Sequence, residues 1–525
     1  MRLAINGRIV EAQPGDTILC AARKLGVEIP TLCHREEFAP QTSCFLCVVR
    51  VEGASCLLPA CATRAAEGMA VTTDSPEIFA ARKTALELLL SDHAGCCVAH
   101  CEIACPADLD VPGFLAELEA GRLRESIAII RRRLPFPAVL GRLCPAFCES
   151  PCWRKRVDEP LAIRALHRYV ADADLASSDP YLPERKRPTG KRVAIVGAGP
   201  AGLSAAFFLL QEGHGCALFD AADRPGGLLR HIPADALEQE VVDAEIAVIQ
   251  RLGLEFRSHW RLGVDGSLDQ LRHEFDAVLL AFGASVGAPG DKRSVDLELA
   301  KSQGLEVAKK GIAADSATGA TSLDGVFAAG EAVSGPNYMV RAVAAGRRAA
   351  ISIHQTLSGQ PVRGLPKPFY FWLKHIHENE AEVLYGNAEP TPRVHPGPEG
   401  LSLSEALRQA ARCLQCGCEK AETCRLRRYA DEYGANGNRF RGERRLLDPD
   451  GSHPELQYEP GKCILCGLCL KLAEQASEAL GLCFAGRGFP TRVAVPFDGL
   501  LSQGIRKNAL AYAEACPTGA LSLKR

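Results

Sequence analysis

Twenty-three cysteines in 525 residues define the chemistry open to this chain. Eleven lie between Cys33 and Cys148, nine lie between Cys413 and Cys516, and Cys216 alone stands between Cys152 and Cys413. Structural thiols scatter singly through cores, so this clustering favours cofactor ligation. Cys33, Cys44, Cys47 and Cys61 form a CxxC pair with two flanking cysteines. That set suits four thiolates around a [2Fe–2S] cluster, with zinc as the plainer reading. Cys20 and Cys56 are read as core residues. His93, Cys97, Cys101 and Cys105 recur every fourth residue, and Cys144, Cys148 and Cys152 follow a helical pair. Ligands drawn from both ends of such a pair suit two [4Fe–4S] clusters. Cys413, Cys416, Cys418 and Cys424 offer four thiolates within 12 residues. Their spacing fits either [4Fe–4S] or Zn(Cys)4, and the redox-active remainder favours iron–sulfur. Cys463, Cys466 and Cys469 are half of a bacterial ferredoxin motif, with Ala473 where the fourth cysteine usually stands. Cys516, followed by proline, supplies it 46 residues further on, and Cys483 is left as structural.

The second chemical feature is a glycine turn in full context. A short apolar strand, Val193 to Val196, runs into Gly197-Ala-Gly199-Pro200-Ala201-Gly202. A helix follows, then a strand ending on Asp220. Strand, glycine turn, helix, strand and an acid about 20 residues on make the dinucleotide fingerprint. Gly197 permits the tight turn, Gly199 lets a pyrophosphate approach, and Gly202 lets helix and strand pack closely. Asp220 is placed to bind a ribose hydroxyl. The helix N-terminus faces the phosphates.

Composition bounds what else is possible. The length gives room for three or four domains, and a net charge of −2 gives no reason to expect nucleic acid or an anionic membrane. No apolar run reaches the ~18 residues of a membrane span. The start, MRLAINGRIV, lacks an apolar signal core, so a cytoplasmic location is expected. Cysteines there are kept reduced, which again points to metal and redox chemistry.

The elements that position these residues can be read in order. Residues 1–75 form a small β-rich domain opened by a hairpin around Asn6-Gly7. Residues 76–185 are helical, with a start at Ser75-Pro76-Glu77 and helices over Gly113 to Ala120 and Arg122 to Leu134. Residues 186–358 carry the nucleotide fold, including a buried strand at Phe275 to Phe282 and a helix at Met339 to Ile353. Residues 359–400 form a Pro-rich linker, 401–450 a four-cysteine segment and 451–525 a final cluster domain.

Several stretches resemble known families. The spacing of Cys33 to Cys61 resembles the N-terminal ferredoxin-like domain of the complex I large peripheral subunit and of iron hydrogenases. CPADLDVPGF, GRLCPAFCESPC and EPLAIRAL resemble the N-terminal helical domain of the glutamate synthase small subunit and of dihydropyrimidine dehydrogenase. That resemblance implies one cluster on Cys97, Cys101 and Cys152 and a second on Cys105, Cys144 and Cys148. His93 or Cys96 would complete the first and His167 the second. An imidazole ligand raises a cluster's potential relative to thiolate. RPGGLLRHIP, holding Gly226, Gly227 and Leu228, resembles the loop beside the flavin phosphates in the same family. Gly325-Val-Phe-Ala-Ala-Gly330-Glu331 resembles its closing flavin motif, with Glu331 where Asp is usual. Together they imply FAD rather than NAD. The Cys463 to Cys516 gap and GRGFPTRVAVPFDG resemble a [4Fe–4S] site of the complex I large subunit.

One departure matters most. That family inserts a complete NAD(P)H domain between the two flavin motifs, whereas here about 40 residues separate Ala284 from Gly325. A second nucleotide domain needs on the order of 100. The expected fold is therefore α/β multidomain. It has a β-grasp [2Fe–2S] head, a helical [4Fe–4S] domain, a Rossmann-type FAD domain lacking the NAD(P)H domain, and a ferredoxin-like tail. The expected function is an electron-transfer subunit of a larger cytoplasmic oxidoreductase, with FAD, one [2Fe–2S] cluster and three to four [4Fe–4S] clusters, one of them alternatively zinc. A diaphorase-type NADH-oxidising subunit and a subunit with a catalytic metal are the expected partners. The alternative is a self-contained NAD(P)H-dependent reductase like the glutamate synthase small subunit. No Ser-His-Asp set, paired catalytic carboxylates or P-loop is legible.

Overall fold

The computed structural model describes residues 1–524 apart from 284–295, 336, 367, 374–379, 381, 383–384, 386–387 and 446. The chain divides into two compact units. The first gathers residues 1–98, 368–389 and 416–525, and the second 99–367 and 390–415.

The first unit opens with the hairpin of β1 (Arg2–Ile5) and β2 (Arg8–Glu11). Asn6 and Gly7 turn it with φ of 50° and 75°, the pair of positive values such a turn needs. With β3 (Val48–Val51), β4 (Leu58–Pro59) and β5 (Ala70–Thr72) the sheet runs β2-β1-β5-β3-β4. The helix Ile18–Lys24, capped by Thr17, buries Ile18, Leu19 and Ala22 in the core that holds Leu3, Ile5, Val49 and Val71. The helix Pro76–Ser91 starts where Ser75 accepts from the Ile78 amide. Its buried Arg82 donates to the Val48 carbonyl and the Tyr433 hydroxyl. Its buried Glu87 accepts from the Asn436 amide and the Arg439 guanidinium. At the tail, Leu456–Tyr458 pairs antiparallel with Leu521–Leu523, with the helices Leu468–Gln475 and Ala509–Ala515 between them in sequence.

In the second unit five parallel strands run in the order β10-β9-β6-β7-β8. They are β6 (Arg192–Val196), β7 (Gly215–Phe219), β8 (Glu255–Arg257), β9 (Ala277–Leu280) and β10 (Val326–Ala328). Such a sheet is covered on both faces, so its strands are apolar throughout. Val193 and Ile195 face a core that also holds Phe114, Ile127, Leu140, Leu209 and Ile353. Ala194 and Val196 face Leu262, Leu271 and Ile312. The helical stretch that starts at residue 99 and the nucleotide fold therefore share one continuous core, joined by Ala406 and Ala410 of the helix Leu403–Ala410. Between β9 and β10 the described residues hold one helix, Leu297–Ser302, and no strand. The start of that short segment, 284–295, lies outside the described residues. No helix among the described residues is long and apolar enough to cross a membrane.

A buried ionic group ties the helical stretch to the nucleotide fold. Arg131 is fully buried and contacts Asp174 at 3.2 Å and Glu245 at 3.8 Å. Glu245 also accepts from the Ala138 and Val139 amides at the start of the helix Pro137–Leu143. Burial pushes its carboxyl up to about 8, while Arg131 and those two amides pull the other way. Removing the single cation leaves two buried acids without a counter-charge. Arg131→Met is expected to cost about 3–5 kcal/mol of stability, read as a fall in the denaturation midpoint. A cost under about 1 kcal/mol would show that the group does not hold this unit together.

Candidate functional site

The nucleotide cavity is built by backbone that comes too close for side chains. Gly197 leaves β6 at φ +112°, and a Cβ there would strike the Ala281 carbonyl. A Cβ on Gly202 would collide with the Gly197 carbonyl oxygen. A Cβ on Gly199 would meet nothing within 4 Å, so on that side the turn is open toward a ligand at the N-terminus of the helix Pro200–Gln211. The Gly226 amide donates to the Ala198 carbonyl at 2.8 Å, and Gly227, at φ +53°, lies against Gly199. The paired glycines thus fold back over the fingerprint. Gly330, at φ +69°, touches the Ala201 methyl, and Glu331 accepts from the Asn337 amide at 3.3 Å.

These pieces line a cavity of about 1440 Å³, with Gly197, Gly199, Asp220, Gly227, Leu228 and Glu331 in its wall. That exceeds the roughly 300–1,000 Å³ typical of drug-sized ligands and suits a dinucleotide. Asp220 lies in this wall. Its two oxygens each accept one backbone bond, from Ala198 at 2.6 Å and Ala222 at 2.9 Å. Each keeps a second lone pair for a ribose hydroxyl. Trp260, Arg230 and Asn337 also line the cavity and were not legible as site residues. Trp260 packs on Phe219 with ring centroids 4.8 Å apart, and only its rarity marked it in the sequence.

The thiols divide between the units. In the first unit Cys33, Cys44, Cys47 and Cys61 are all buried, with Cys33 and Cys44 sulfurs 3.4 Å apart. The hydrogen bond from Cys44 lowers the Cys33 thiol to about 5, and Cys61 likewise lowers Cys47. Cys463, Cys466, Cys469 and Cys516 meet although 46 residues intervene, because β-pairing of Leu456 with Leu523 brings the two ends together. Burial raises Cys463 to about 11, and Cys516 adds its charge. The Leu465 and Leu521 amides donate to the Cys463 and Cys516 sulfurs at 3.4 Å each. Such N–H···S bonds are among those that set cluster potentials.

Cys97 lies in the first unit, where burial raises it to about 11 and the charges of Cys418 and Cys96 push the same way. Cys424, raised by burial to about 12, feels Cys418, Cys97 and Cys516. Cys101 and Cys152 belong to the second unit. Cys413 also belongs to the second unit, whereas Cys416, Cys418 and Cys424 belong to the first. Lys462 is buried among these sulfurs, ion-paired with Glu459, and the charges of Cys418 and Cys96 help keep it protonated. His93 packs edge-on against Phe371 at 5.0 Å, and burial lowers its imidazole to about 3.

In the second unit Cys105, Cys144 and Cys148 stand together. Burial first, then the charges of Cys105, Glu149 and Cys144, pushes the Cys148 thiol up. The Cys105 sulfur accepts from the Leu109 and Ala107 amides. His167 is buried, its ring bonded to the Pro137 carbonyl, and its Nδ1 has no hydrogen-bond partner. An imidazole fixed through one nitrogen presents the other as a bare lone pair, the form a metal takes. No group of three or more His, Cys, Asp or Glu among the described residues closes around a single ion.

Three family models match the chain: a 2Fe–2S iron–sulfur cluster binding domain over residues 1–76, dihydropyrimidine dehydrogenase domain II with a 4Fe–4S cluster over 91–178, and an NAD(P)-binding Rossmann-like domain over 195–261. Among curated proteins, the beta subunit of NADP(+)-dependent formate dehydrogenase of Moorella thermoacetica is 40% identical over 207 residues, 35% of this chain and 29% of that protein. The NADPH glutamate synthase small chain of Bacillus subtilis is 37% identical over 183 residues, 34% of this chain and 37% of that one. The PreT subunit of NAD-dependent dihydropyrimidine dehydrogenase of Salmonella typhimurium is 34% identical over 207 residues, 38% of this chain and 50% of that one. The matches thus span from under a third to one half of those relatives' lengths.

Two substitutions check the geometry. Gly202→Ala is expected to cut the dinucleotide released by acid at least about tenfold while iron and acid-labile sulfide stay, since only the close approach of helix and turn is lost. A Cβ on Gly519 would collide with the Cys418 sulfur. Gly519→Ala is therefore expected to lower the iron content without lowering the bound dinucleotide; unchanged iron would remove Cys418 from the candidate ligands. The chain carries 2Fe–2S, 4Fe–4S and Rossmann-like domains and is similar, over about two-fifths of its length or less, to subunits of glutamate synthase, formate dehydrogenase and dihydropyrimidine dehydrogenase.

Proposed function

We propose that this chain is an iron–sulfur flavoprotein that relays electrons inside a larger oxidoreductase, between iron–sulfur clusters and an FAD. The observation that carries the proposal is one flavin-type cavity in a unit whose described residues hold no strand between β9 and β10, where a nicotinamide domain would need several. FAD bound there would join one-electron and two-electron transfers. Gly197, Gly199, Pro200, Ala201 and Gly202 would present backbone to its pyrophosphate. Asp220 would hold a ribose, Gly226, Gly227 and Leu228 would close over the phosphates, and Gly330 and Glu331 would meet the ribityl chain. The cradle that a Cβ would fill at Gly202 and the open face at Gly199 fit such a ligand.

Cys33, Cys44, Cys47 and Cys61 would hold [2Fe–2S]. Cys463, Cys466, Cys469 and Cys516 would hold one [4Fe–4S] cluster. Cys105, Cys144 and Cys148 would hold another, with His167 as fourth ligand through its unpartnered Nδ1. Cys97, Cys101 and Cys152, with His93 or Cys96, and the Cys413, Cys416, Cys418 and Cys424 set supply further thiolates; the proximity of Cys97 to Cys418 and Cys424 favours sharing between them. The partners proposed are a diaphorase-type NADH-oxidising subunit and a subunit bearing a catalytic metal, in the cytoplasm. The second reading, a self-contained NAD(P)H-dependent reductase, is favoured by the NADPH- and NAD-dependent names of the relatives.

Anaerobic mixing separates the two. The purified chain is expected to keep its flavin absorbance when mixed with NADH or NADPH and to lose it with dithionite. Rapid bleaching by either nucleotide alone would overturn the relay and support the reductase.

A further inference from the structure

A second cavity, of about 350 Å³, lies beside the flavin-type one, and the two share Asn337 and Ala342 as wall. Its other wall is one face of the helix Met339–Leu357, where Arg341, Ala345 and Arg348 recur at helical spacing. Alanines at 342, 345 and 349 line the same cavity, with Arg341 exposed at its edge. The opposite wall is Ala328 to Gly330 of the closing flavin motif.

The charges in this space are unbalanced. Arg348 is half-buried, and its side chain makes no hydrogen bond or ion pair among the described residues. The Asp108 charge reaches it, yet Asp108 pairs at 3.6 Å with the neighbouring Arg347. Arg341 has one long bond, 3.5 Å to the Asn337 side chain, and lies over the Phe147 and Tyr338 rings. The one carboxylate in the wall, Asp315, has an oxygen that accepts from the Ala317 amide, the Thr318 amide and the Thr318 hydroxyl. Neither Arg341 nor Arg348 is among the groups that act on its charge. A guanidinium withdrawn from water without a counter-charge is costly unless an anion supplies one.

We propose that this cavity is a binding site for a compact oxyanion, a small carboxylate or a phosphate ester, held by Arg348 and Arg341 beside the flavin. The volume is at the low end for small-molecule sites and excludes a dinucleotide. The forked donors of arginine match both carboxylate and phosphate oxygens. Placing the anion beside a flavin rests on the reading of the larger cavity as the FAD site; the anion site itself does not.

The test is calorimetric titration of the full-length, anaerobically purified protein with malonate and, separately, with inorganic phosphate. Flavin content is measured independently by absorbance after acid release. Saturable binding of one or both is expected, and the better probe identifies the source chemistry. Arg348→Ala and Arg348→Gln are expected to weaken binding about tenfold or more, and Arg348→Lys to stay within about threefold, because one charge-assisted contact is removed or kept. The absence of saturable binding by both probes overturns the proposal, as does wild-type affinity in both neutral variants. Arg348-dependent binding by a protein with no flavin would refute the flavin reading and leave this site standing.

Discussion

The arrangement of the second unit depends on two helices that touch backbone to backbone. A Cβ on Gly346 would collide with the Ala201 carbonyl, and Ser204 donates to the Val343 carbonyl at 2.8 Å. The helix Pro200–Gln211 carries the fingerprint, and the helix Met339–Leu357 follows the closing flavin motif. Their close contact therefore fixes the two halves of the nucleotide cavity relative to each other. Larger residues at 201, 202 or 346 would separate the helices and open the turn. Gly330 against the Ala201 methyl belongs to the same contact.

Buried charges do the corresponding work among the helices. Arg412 is nearly inaccessible, bonded to Asp158 at 2.7 Å and to the Glu159 carbonyl, while Arg154 holds the other oxygen of Asp158 at 2.6 Å. Those two cations hold the Asp158 carboxyl well below the usual range against the cost of burial. Like the Arg131 group, this network links separate stretches of one unit, and it specifies where the segment 390–415 joins.

Much of this was legible in residue types. The Asn6-Gly7 turn, the Ser75 start, the glycine fingerprint and the pairing of Cys516 with a distant CxxCxxC all follow from local rules of turn, cap and ligand geometry. What escaped was set by tertiary packing. The division of the chain between residues 98 and 99, which falls between Cys97 and Cys101, has no signal in their spacing. The same holds between Cys413 and Cys416. The helical stretch and the nucleotide fold looked like separate domains because each has its own periodicity, yet their apolar faces form one core. The burial of Lys462, with the charges of Cys418 and Cys96 acting on it, has no local signal in the sequence.

The first unit is assembled from three separated stretches of chain, and one of its thiol groups gains its fourth member only at Cys516. A ribosome delivers those stretches in order, so the head emerges hundreds of residues before the strand that pairs with Leu456. The hairpin domain around Cys33 to Cys61 is continuous and can take shape early, whereas the tail site cannot close until the last strand has left the exit tunnel. Those four thiols therefore cannot stand together until residue 516 and the strand Leu521–Leu523 have been made, and a chain stalled before residue 516 would hold only three of them.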